Sequence, residues 1–274
     1  MKIGAHVSAA GGAHNAPLNA HKLGCECYQF FSRPPQGGDA PKLSQEIIKK
    51  IKENNKKYNF KDFYIHAPYY INLASSKKNV YYGSISVLRE ELERCSQLGA
   101  KYLMTHLGSA KDLGDQKAIQ QITKGISEVL KNYIGSCGFL IEISAGSGQI
   151  IGNTFEEIAK ILSKLKNKIN ICYDTAHAFE SGYDMRDKQS VKKTLNEFNK
   201  IIGLDKLKLI HVNDSKSDLG SHIDRHEHIG KGKIGLAGFK ALLSEKKFTN
   251  INLILETPAD YLRINDIKIL KDLR

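Results

Sequence analysis

Seven of eight short apolar segments in this chain carry an imidazole or a carboxylate at or near the carboxyl end of the segment. These residues are His6, His66, His106, Glu142, Asp174, His211 and Glu256. Removing an ionised side chain from water costs several kcal/mol unless the group is paired or binds a metal. If the fold brings these groups together, their chemistry predicts a metal centre, and imidazole with carboxylate suits zinc, manganese or iron.

The individual residues have different alternative explanations. A single histidine such as His66 has an ordinary one, because most isolated histidines lie in a core or on a surface without binding a ligand. Glu142 and Glu256 each follow three apolar residues, and a glutamate is almost never fully buried without a partner. We interpret His6 as a residue beside the ligands or facing the substrate, with a purely structural role as the alternative.

Two further groups of candidate ligands lie outside the apolar segments. The sequence DTAH places His177 three residues after Asp174, where we expect a strand to give way to a loop. The sequence DRH places Asp224 and His226 two residues apart, in the loop after the seventh segment. In an extended loop, residues at this spacing point to the same side, so both could bind one ion.

The apolar segments read as β-strands that alternate with helices. They begin at Lys2, Glu26, Asp62, Lys101, Gly138, Ile169, Leu207 and Ile251. Between them, apolar residues recur at helical spacing of three and four, as in Leu43-Ile47-Ile48-Ile51 and Ile158-Ile161-Leu162-Leu165. Eight such units predict an α/β fold in which residues 1–274 form a single (β/α)8 barrel of the TIM type, with its site at the carboxyl-terminal rim of the strands. The alternative, an open doubly wound sheet, lacks support because the first turn contains no GxGxxG.

Composition narrows the setting and the class of partner. The 274 residues carry a net charge of +12, which favours a polyanion such as nucleic acid, although a generally lysine-rich surface is the alternative. The five cysteines form no CxxC pair, so we expect reduced thiols and a cytoplasmic protein. No run of 18 apolar residues and no signal sequence is present, so we expect no membrane association.

Several longer motifs resemble the endonuclease IV family of apurinic/apyrimidinic (AP) endonucleases. The similarity begins at GAHVSAAGG near the start, ends at LILET near residue 256, and includes HAPYYINLAS from His66 and CYDTAHAFESGYD from Cys172. The longest motif is HVNDSKSDLGSHIDRHEHIGKG from His211. The resemblance implies cleavage of DNA on the 5′ side of an abasic site to leave a 3′-hydroxyl, together with trimming of blocked 3′ ends.

The resemblance also implies three zinc ions and a ligand set for each. His66 and His106 hold the first ion, and the catalytic Glu142 bridges it to the second. Asp174, His211 and Glu256 complete the second site. His177, Asp224 and His226 hold the third.

For the DNA partner, we expect contacts from Tyr69, Tyr70, Gln36, Arg33 and Arg225. The family inserts an aromatic and an apolar residue from the loop after His66, whereas this chain has two tyrosines there. In the loop after the second strand, SRPPQGGDA places Gln36 where relatives often insert an Arg or Trp. After Glu142 the chain reads ISAGSG, where relatives often have an Asn next to the Glu. These departures concern DNA contacts, and no metal ligand changes.

Two other functions fit part of the pattern. A metal-dependent sugar isomerase or epimerase also places Glu, Asp and His at the strand ends of a barrel, but it has no use for a third site at Asp224 and His226. A non-catalytic DNA-binding protein would not need to retain nine ligand-type residues. We expect the protein to act as a monomer on double-stranded DNA that contains abasic sites or blocked 3′ ends.

Overall fold

The computed structural model of the chain describes residues 1–165 and 169–274. Within them, strands β1 to β10 are Ile3–His6, Cys27–Phe30, Phe63–His66, Tyr102–Thr105, Gly138–Glu142, Ile169–Asp174, Leu207–His211, Asp214–Ser215, His226–Glu227 and Asn252–Leu255. Helices α1 to α9 are Ala16–Lys22, Gln45–Lys57, Lys78–Leu98, Asp115–Leu130, Phe155–Leu162, Thr175–Glu180, Lys188–Ile201, Gly235–Leu243 and Arg263–Leu273. Short 3₁₀ helices are Ala13–Asn15, Ser147–Gln149, Leu204–Lys206 and Lys246–Phe248.

Eight of the strands form a closed parallel barrel, which confirms the predicted fold class. Around the wall their order is β1, β10, β7, β6, β5, β4, β3 and β2. The inside of the barrel is filled by Cys27, Tyr64, Met104, Leu140, Cys172, Leu209 and Ile254. A larger apolar core lies between the strands and the surrounding helices. The interior of the barrel is therefore packed with side chains, and these support the residues at the carboxyl ends of the strands.

The helices follow from local sequence signals. The Ser44 side chain accepts a hydrogen bond from the backbone N–H of Ile47 and starts α2, whose Ile48 and Ile51 are buried against the barrel. Leu43 of the predicted repeat therefore precedes the helix. Thr154 caps α5 in the same way. None of the helices in the described residues combines the length and the apolar character needed to cross a membrane.

One local prediction is wrong. The segment after Asp174 is the short helix α6 and not a loop. The Asp174 side chain caps it, because its Oδ1 atom accepts hydrogen bonds from the backbone N–H groups of Ala176 and His177 at 2.8 and 2.9 Å. This helical turn folds His177 back over the end of β6, which places its ring beside the other strand ends.

Candidate metal centre

The strand ends place the predicted ligands around one mouth of the barrel. His66, Glu142, Asp174 and His211 are the last residues of β3, β5, β6 and β7. His106 and Glu256 directly follow β4 and β10. Strand registry holds these positions side by side, since Asp174 pairs with His211 across β6 and β7.

Glu142 lies at the centre of this mouth and faces two groups of imidazoles. Its Oε2 atom is 2.9 Å from Nε2 of His66 and 3.6 Å from Nε2 of His106. Its Oε1 atom is 2.8 Å from Nδ1 of His211 and 3.6 Å from Nδ1 of His177. His66, His106 and Glu142 form the first of three clusters of candidate ligands, and Glu142 is shared with the second, which contains His211. One carboxylate oxygen therefore faces each cluster, as expected of a ligand shared by two sites.

The second cluster comprises Glu142, Asp174, His211 and Glu256. Its acidic side chains surround Nδ1 of His211, which is the inner ring nitrogen, that is, the one that faces the cluster. This Nδ1 atom lies 3.2 Å from Oε2 of Glu256 and 3.9 Å from Oδ2 of Asp174. With Glu142, these residues offer four ligand atoms within 4.8 Å of one another. Zinc binds nitrogen and oxygen at about 2.0–2.2 Å, so two ligand atoms on one tetrahedral ion lie about 3.3–3.6 Å apart. The observed spacing suits an ion of this size.

The third cluster lies nearer the surface. Nε2 of His177 is 3.2 Å from Nε2 of His226 and 3.4 Å from Oδ1 of Asp224. The same Asp224 oxygen is 3.8 Å from Nε2 of His226, so both side chains of the i, i+2 pair face one point. Oδ2 of Asp174 approaches His226 at 3.7 Å, and it adds a carboxylate that the sequence analysis assigned only to the second cluster.

Each candidate histidine ligand has an inner ring nitrogen that faces a cluster and an outer ring nitrogen that faces away from it. In four of the five histidines, the outer nitrogen lies within hydrogen-bond distance of an oxygen acceptor, which orients the ring. The pairs are His66 Nδ1 with Ala67 O at 2.6 Å, His177 Nδ1 with Ile143 O at 2.9 Å, His226 Nδ1 with Glu256 O at 3.1 Å, and His211 Nε2 with Gln29 Oε1 at 2.9 Å. A proton on the outer nitrogen leaves the inner nitrogen to bind an ion. His106 differs, because its buried Nδ1 atom has no hydrogen-bond partner among the described residues.

The carboxylates and imidazoles shift each other's pKa. Burial raises the pKa of Glu142, but His106 and His211 outweigh this effect, and the pKa lies well below its usual range. Burial lowers the pKa of His177, but Asp174 and Asp224 outweigh it and hold the pKa well above 6.5. The clusters therefore combine negative charge with protons that a divalent cation displaces when it binds. Their affinity for a cation must fall as the pH falls.

Sequence reasoning missed two buried amides that touch these ligands. Nδ2 of Asn213 donates to Oδ2 of Asp174 at 2.7 Å, and its Oδ1 accepts from the backbone N–H of Glu256 at 2.7 Å. Gln29 contacts Glu256 and His211 from β2. The position of Gln29 in the sequence could have indicated its role. The other seven barrel strands each have a titratable candidate residue at the carboxyl end, and β2 has this amide there. A search limited to titratable groups passes over an amide.

An open cleft of about 1330 Å³ extends outward from the clusters, and Tyr69, Tyr70 and Arg225 line it. Tyr69 is 65% exposed and Tyr70 is 37% exposed. Arg225 and Gln36 are also exposed. The backbone N–H of Tyr69 donates to the carbonyl of Pro35 at 3.0 Å, so the loop that contains Gln36 is joined to the tyrosine loop. Tyr69, Tyr70 and Arg225 are therefore accessible beside the clusters, and Gln36 is exposed on the adjoining loop.

Arg33 has a different environment from the other four predicted DNA contacts. It is buried, and its guanidinium lies 2.6 Å from Oε2 of Glu90 and 2.8 Å from Oε1 of Glu91. Arg33 also lines the cleft, and its ion pairs join the loop after β2 to α3. A DNA contact by Arg33 stays a prediction.

Comparison with known proteins identifies similar sequences and a similar structure over nearly the whole chain. A family model described as a xylose isomerase-like TIM barrel matches residues 18–273. The chain is 39% identical over 264 residues to probable endonuclease 4 of Nitrosopumilus maritimus, which covers 95% of this chain and 94% of that protein. It is 38% identical to apurinic-apyrimidinic endonuclease 1 of Plasmodium berghei, over 93% of this chain and 51% of that protein. The crystal structure of endonuclease IV from Thermus thermophilus superposes with a TM-score of 0.89 at 26% identity, covering 100% and 98% of the two chains.

Proposed function

Because this chain belongs to the endonuclease IV family, we propose that it is a zinc-dependent DNA repair enzyme that hydrolyses the phosphodiester on the 5′ side of an abasic site. The product ends are a 3′-hydroxyl and the abasic 5′-phosphate. The same site would trim blocked 3′ ends, because both reactions break a phosphodiester next to a damaged sugar. The observation that carries the proposal is the position of Glu142, because its two carboxylate oxygens face separate ligand clusters.

Each cluster offers enough ligands for one zinc ion. The first comprises His66, His106 and Glu142; the second comprises Glu142, Asp174, His211 and Glu256; and the third comprises His177, Asp224 and His226, with Asp174 alongside. When bound, zinc ions lower the pKa of water to about 7 and stabilise negative charge on phosphoryl oxygens. The donor types, the spacing and the oriented imidazoles all fit this metal.

The protein itself provides the geometry of the reaction. Glu142 is completely buried, so its carboxylate is fixed by packing and holds the two inner clusters at a constant separation. Positioning of this kind lowers the barrier because little reorganisation remains at the moment of reaction. An abasic nucleotide must leave the base stack to reach the mouth of the barrel. We propose that Tyr69 and Tyr70 fill the gap that it leaves, and that Arg225 contacts a phosphate from the rim.

The sugar isomerase alternative is disfavoured by two observations. The imidazole pair of His177 and His226 has its own carboxylate in Asp224, and a sugar isomerase with two ions at most has no use for this third cluster. The net charge of +12 also suits a polyanionic substrate better than a neutral sugar.

Incubation of the purified protein with an abasic duplex and with a panel of ketoses, each with and without a chelator, tests the proposal. We expect cleavage 5′ to the abasic site that chelator abolishes and added zinc restores, and we expect no ketose conversion. Elemental analysis after zinc-replete purification should give about three ions per chain. Ketose conversion without cleavage, DNA binding without cleavage, or one ion or fewer per chain would overturn the proposal.

A further inference from the structure

Gln29 is a fully buried amide at the carboxyl end of β2, directly beside the second cluster. Its Oε1 atom lies 2.9 Å from Nε2 of His211. Its Nε2 atom lies 2.6 Å from Oε1 of Glu256 and 3.0 Å from Nδ1 of His6. One side chain thus contacts two candidate zinc ligands, and it connects β2 to residues at the ends of β1, β7 and β10.

The hydrogen-bonding capacity of an amide decides how Gln29 is oriented. Only the NH₂ group can face Glu256, because two oxygens 2.6 Å apart would repel each other. One N–H then donates to the Glu256 carboxylate and the other donates to Nδ1 of His6. The carbonyl oxygen remains to accept the Nε2 proton of His211.

This arrangement has a direct effect on both ligands. With its proton fixed on Nε2, His211 presents Nδ1 to the cluster. With Oε1 occupied by the amide, Glu256 presents Oε2, which lies 3.2 Å from Nδ1 of His211. We infer that Gln29 is a positioning residue that sets the tautomer of His211 and the ligand oxygen of Glu256, and that it thereby determines the zinc affinity of the second site.

This inference rests on the proposed zinc sites, so the test measures the binding of Zn²⁺ alone. Metal-stripped wild type and Gln29→Met are titrated with Zn²⁺ in competition with a chromogenic chelator of known affinity. Methionine has a similar size, but it cannot donate a hydrogen bond and its thioether sulfur is only a weak acceptor. We expect two ions to bind as in wild type and one to bind about 10- to 100-fold more weakly, the usual effect of removing a partner of a metal ligand.

Asn252→Leu is the matched control. Asn252 is also a buried amide, and it donates to Tyr64 Oη at 2.8 Å and accepts from the backbone N–H of Lys2 at 3.0 Å. It lies at the amino end of β10, away from the clusters. We expect this variant to lose stability while it keeps wild-type affinity at all three sites.

The possible outcomes separate this inference from the proposed function. Wild-type affinity at all three sites of Gln29→Met, or equal weakening of all three, overturns the inference and leaves the function standing. A wild-type protein that binds no zinc overturns both. If Gln29→Met does not fold, Gln29→Ala replaces it, because the space left can admit water; selective weakening of one ion is again the expected result and unchanged affinity again refutes the inference.

Discussion

Replacing Glu142 with glutamine tests the centre of the proposed mechanism. The amide has the same shape and size, so the packing of this completely buried side chain is retained. One of its two terminal atoms becomes an NH₂ group, which cannot ligate a metal. Because Oε1 faces His211 and Oε2 faces His66, either orientation of the amide deprives one of the two inner clusters of its shared ligand.

The size of the effect follows from these contacts. Losing a ligand to a cation costs at least as much as losing a hydrogen bond to a charged group, about 1.5–3 kcal/mol. A barrier raised by this amount slows a reaction roughly 10- to 150-fold. Glu142→Gln should therefore cleave at less than about a tenth of the wild-type rate. Single-turnover cleavage of a labelled duplex with a stable abasic analogue, at saturating enzyme, measures the rate. Anisotropy should show little change in DNA affinity, and circular dichroism should show an intact fold.

Glu26→Gln provides the same chemical change at the other end of the barrel. Glu26 precedes β2, and its carboxylate accepts hydrogen bonds from the backbone of Ile3 and the side chain of Arg274. We expect this control to cleave at the wild-type rate. If Glu142→Gln retains more than about a tenth of the wild-type rate, a barrier change below about 1.4 kcal/mol, the assigned role of Glu142 is refuted.

Three further predictions concern DNA binding and stability. Replacing Tyr69 and Tyr70 together with Ala should weaken binding to an abasic duplex at least about tenfold, because a stacked aromatic ring contributes about 1–3 kcal/mol per base; equal losses on damaged and undamaged duplexes would refute the insertion role. Binding to undamaged duplex should be weak, salt-sensitive and nearly independent of sequence, and a preference of about a hundredfold for one undamaged sequence would contradict this. Burial raises the pKa of Asp62, but Lys2 and Lys101 outweigh this effect and lower the pKa. The ionised Asp62 carboxylate therefore stabilises the folded state fully above the pKa of an unfolded aspartate, and this contribution is lost as the pH falls through the folded-state pKa. Asp62→Asn should therefore lower the free energy of unfolding at neutral pH by about 0.2–1 kcal/mol, and denaturation curves should show this difference shrinking below about pH 4; a difference that is constant with pH would refute the ion-pair explanation.

The barrel was predictable because its signals are local and repeated. Each barrel strand lies in a short apolar run, and segments between the strands show apolar spacing of three and four residues, as at Ile48 and Ile51. The carboxyl ends of parallel strands meet at one rim, so the fold brings together residues as distant in sequence as His66 and Glu256. Gathering of the strand-end residues at that rim therefore follows from strand order alone.

The side-chain environment at the rim was not predictable in the same way. The ion pairs of Arg33 are one example. Its partners Glu90 and Glu91 lie on α3, and no local signal indicates that helix and loop pack together. Asn213 and Gln29 escaped notice because the search considered only titratable groups, whereas their contacts with Asp174, His211 and Glu256 are visible only in three dimensions.

The three clusters also differ in what holds them, and this difference bears on how the site works. The ligands of the inner clusters stand at strand ends, and those at their centre, Glu142 and His211, are fully buried. The third cluster takes Asp224 from an irregular loop, and the Asp224 side chain is 48% exposed. That loop is tied down by Glu180, whose Oε1 atom accepts the backbone N–H of Arg225 at 3.1 Å and the hydroxyl of Ser215 at 2.7 Å. The inner pair is therefore built into the barrel, whereas the outer cluster depends on a loop that lies at the cleft where DNA would bind, so its geometry is the part of the site that bound substrate can most easily adjust.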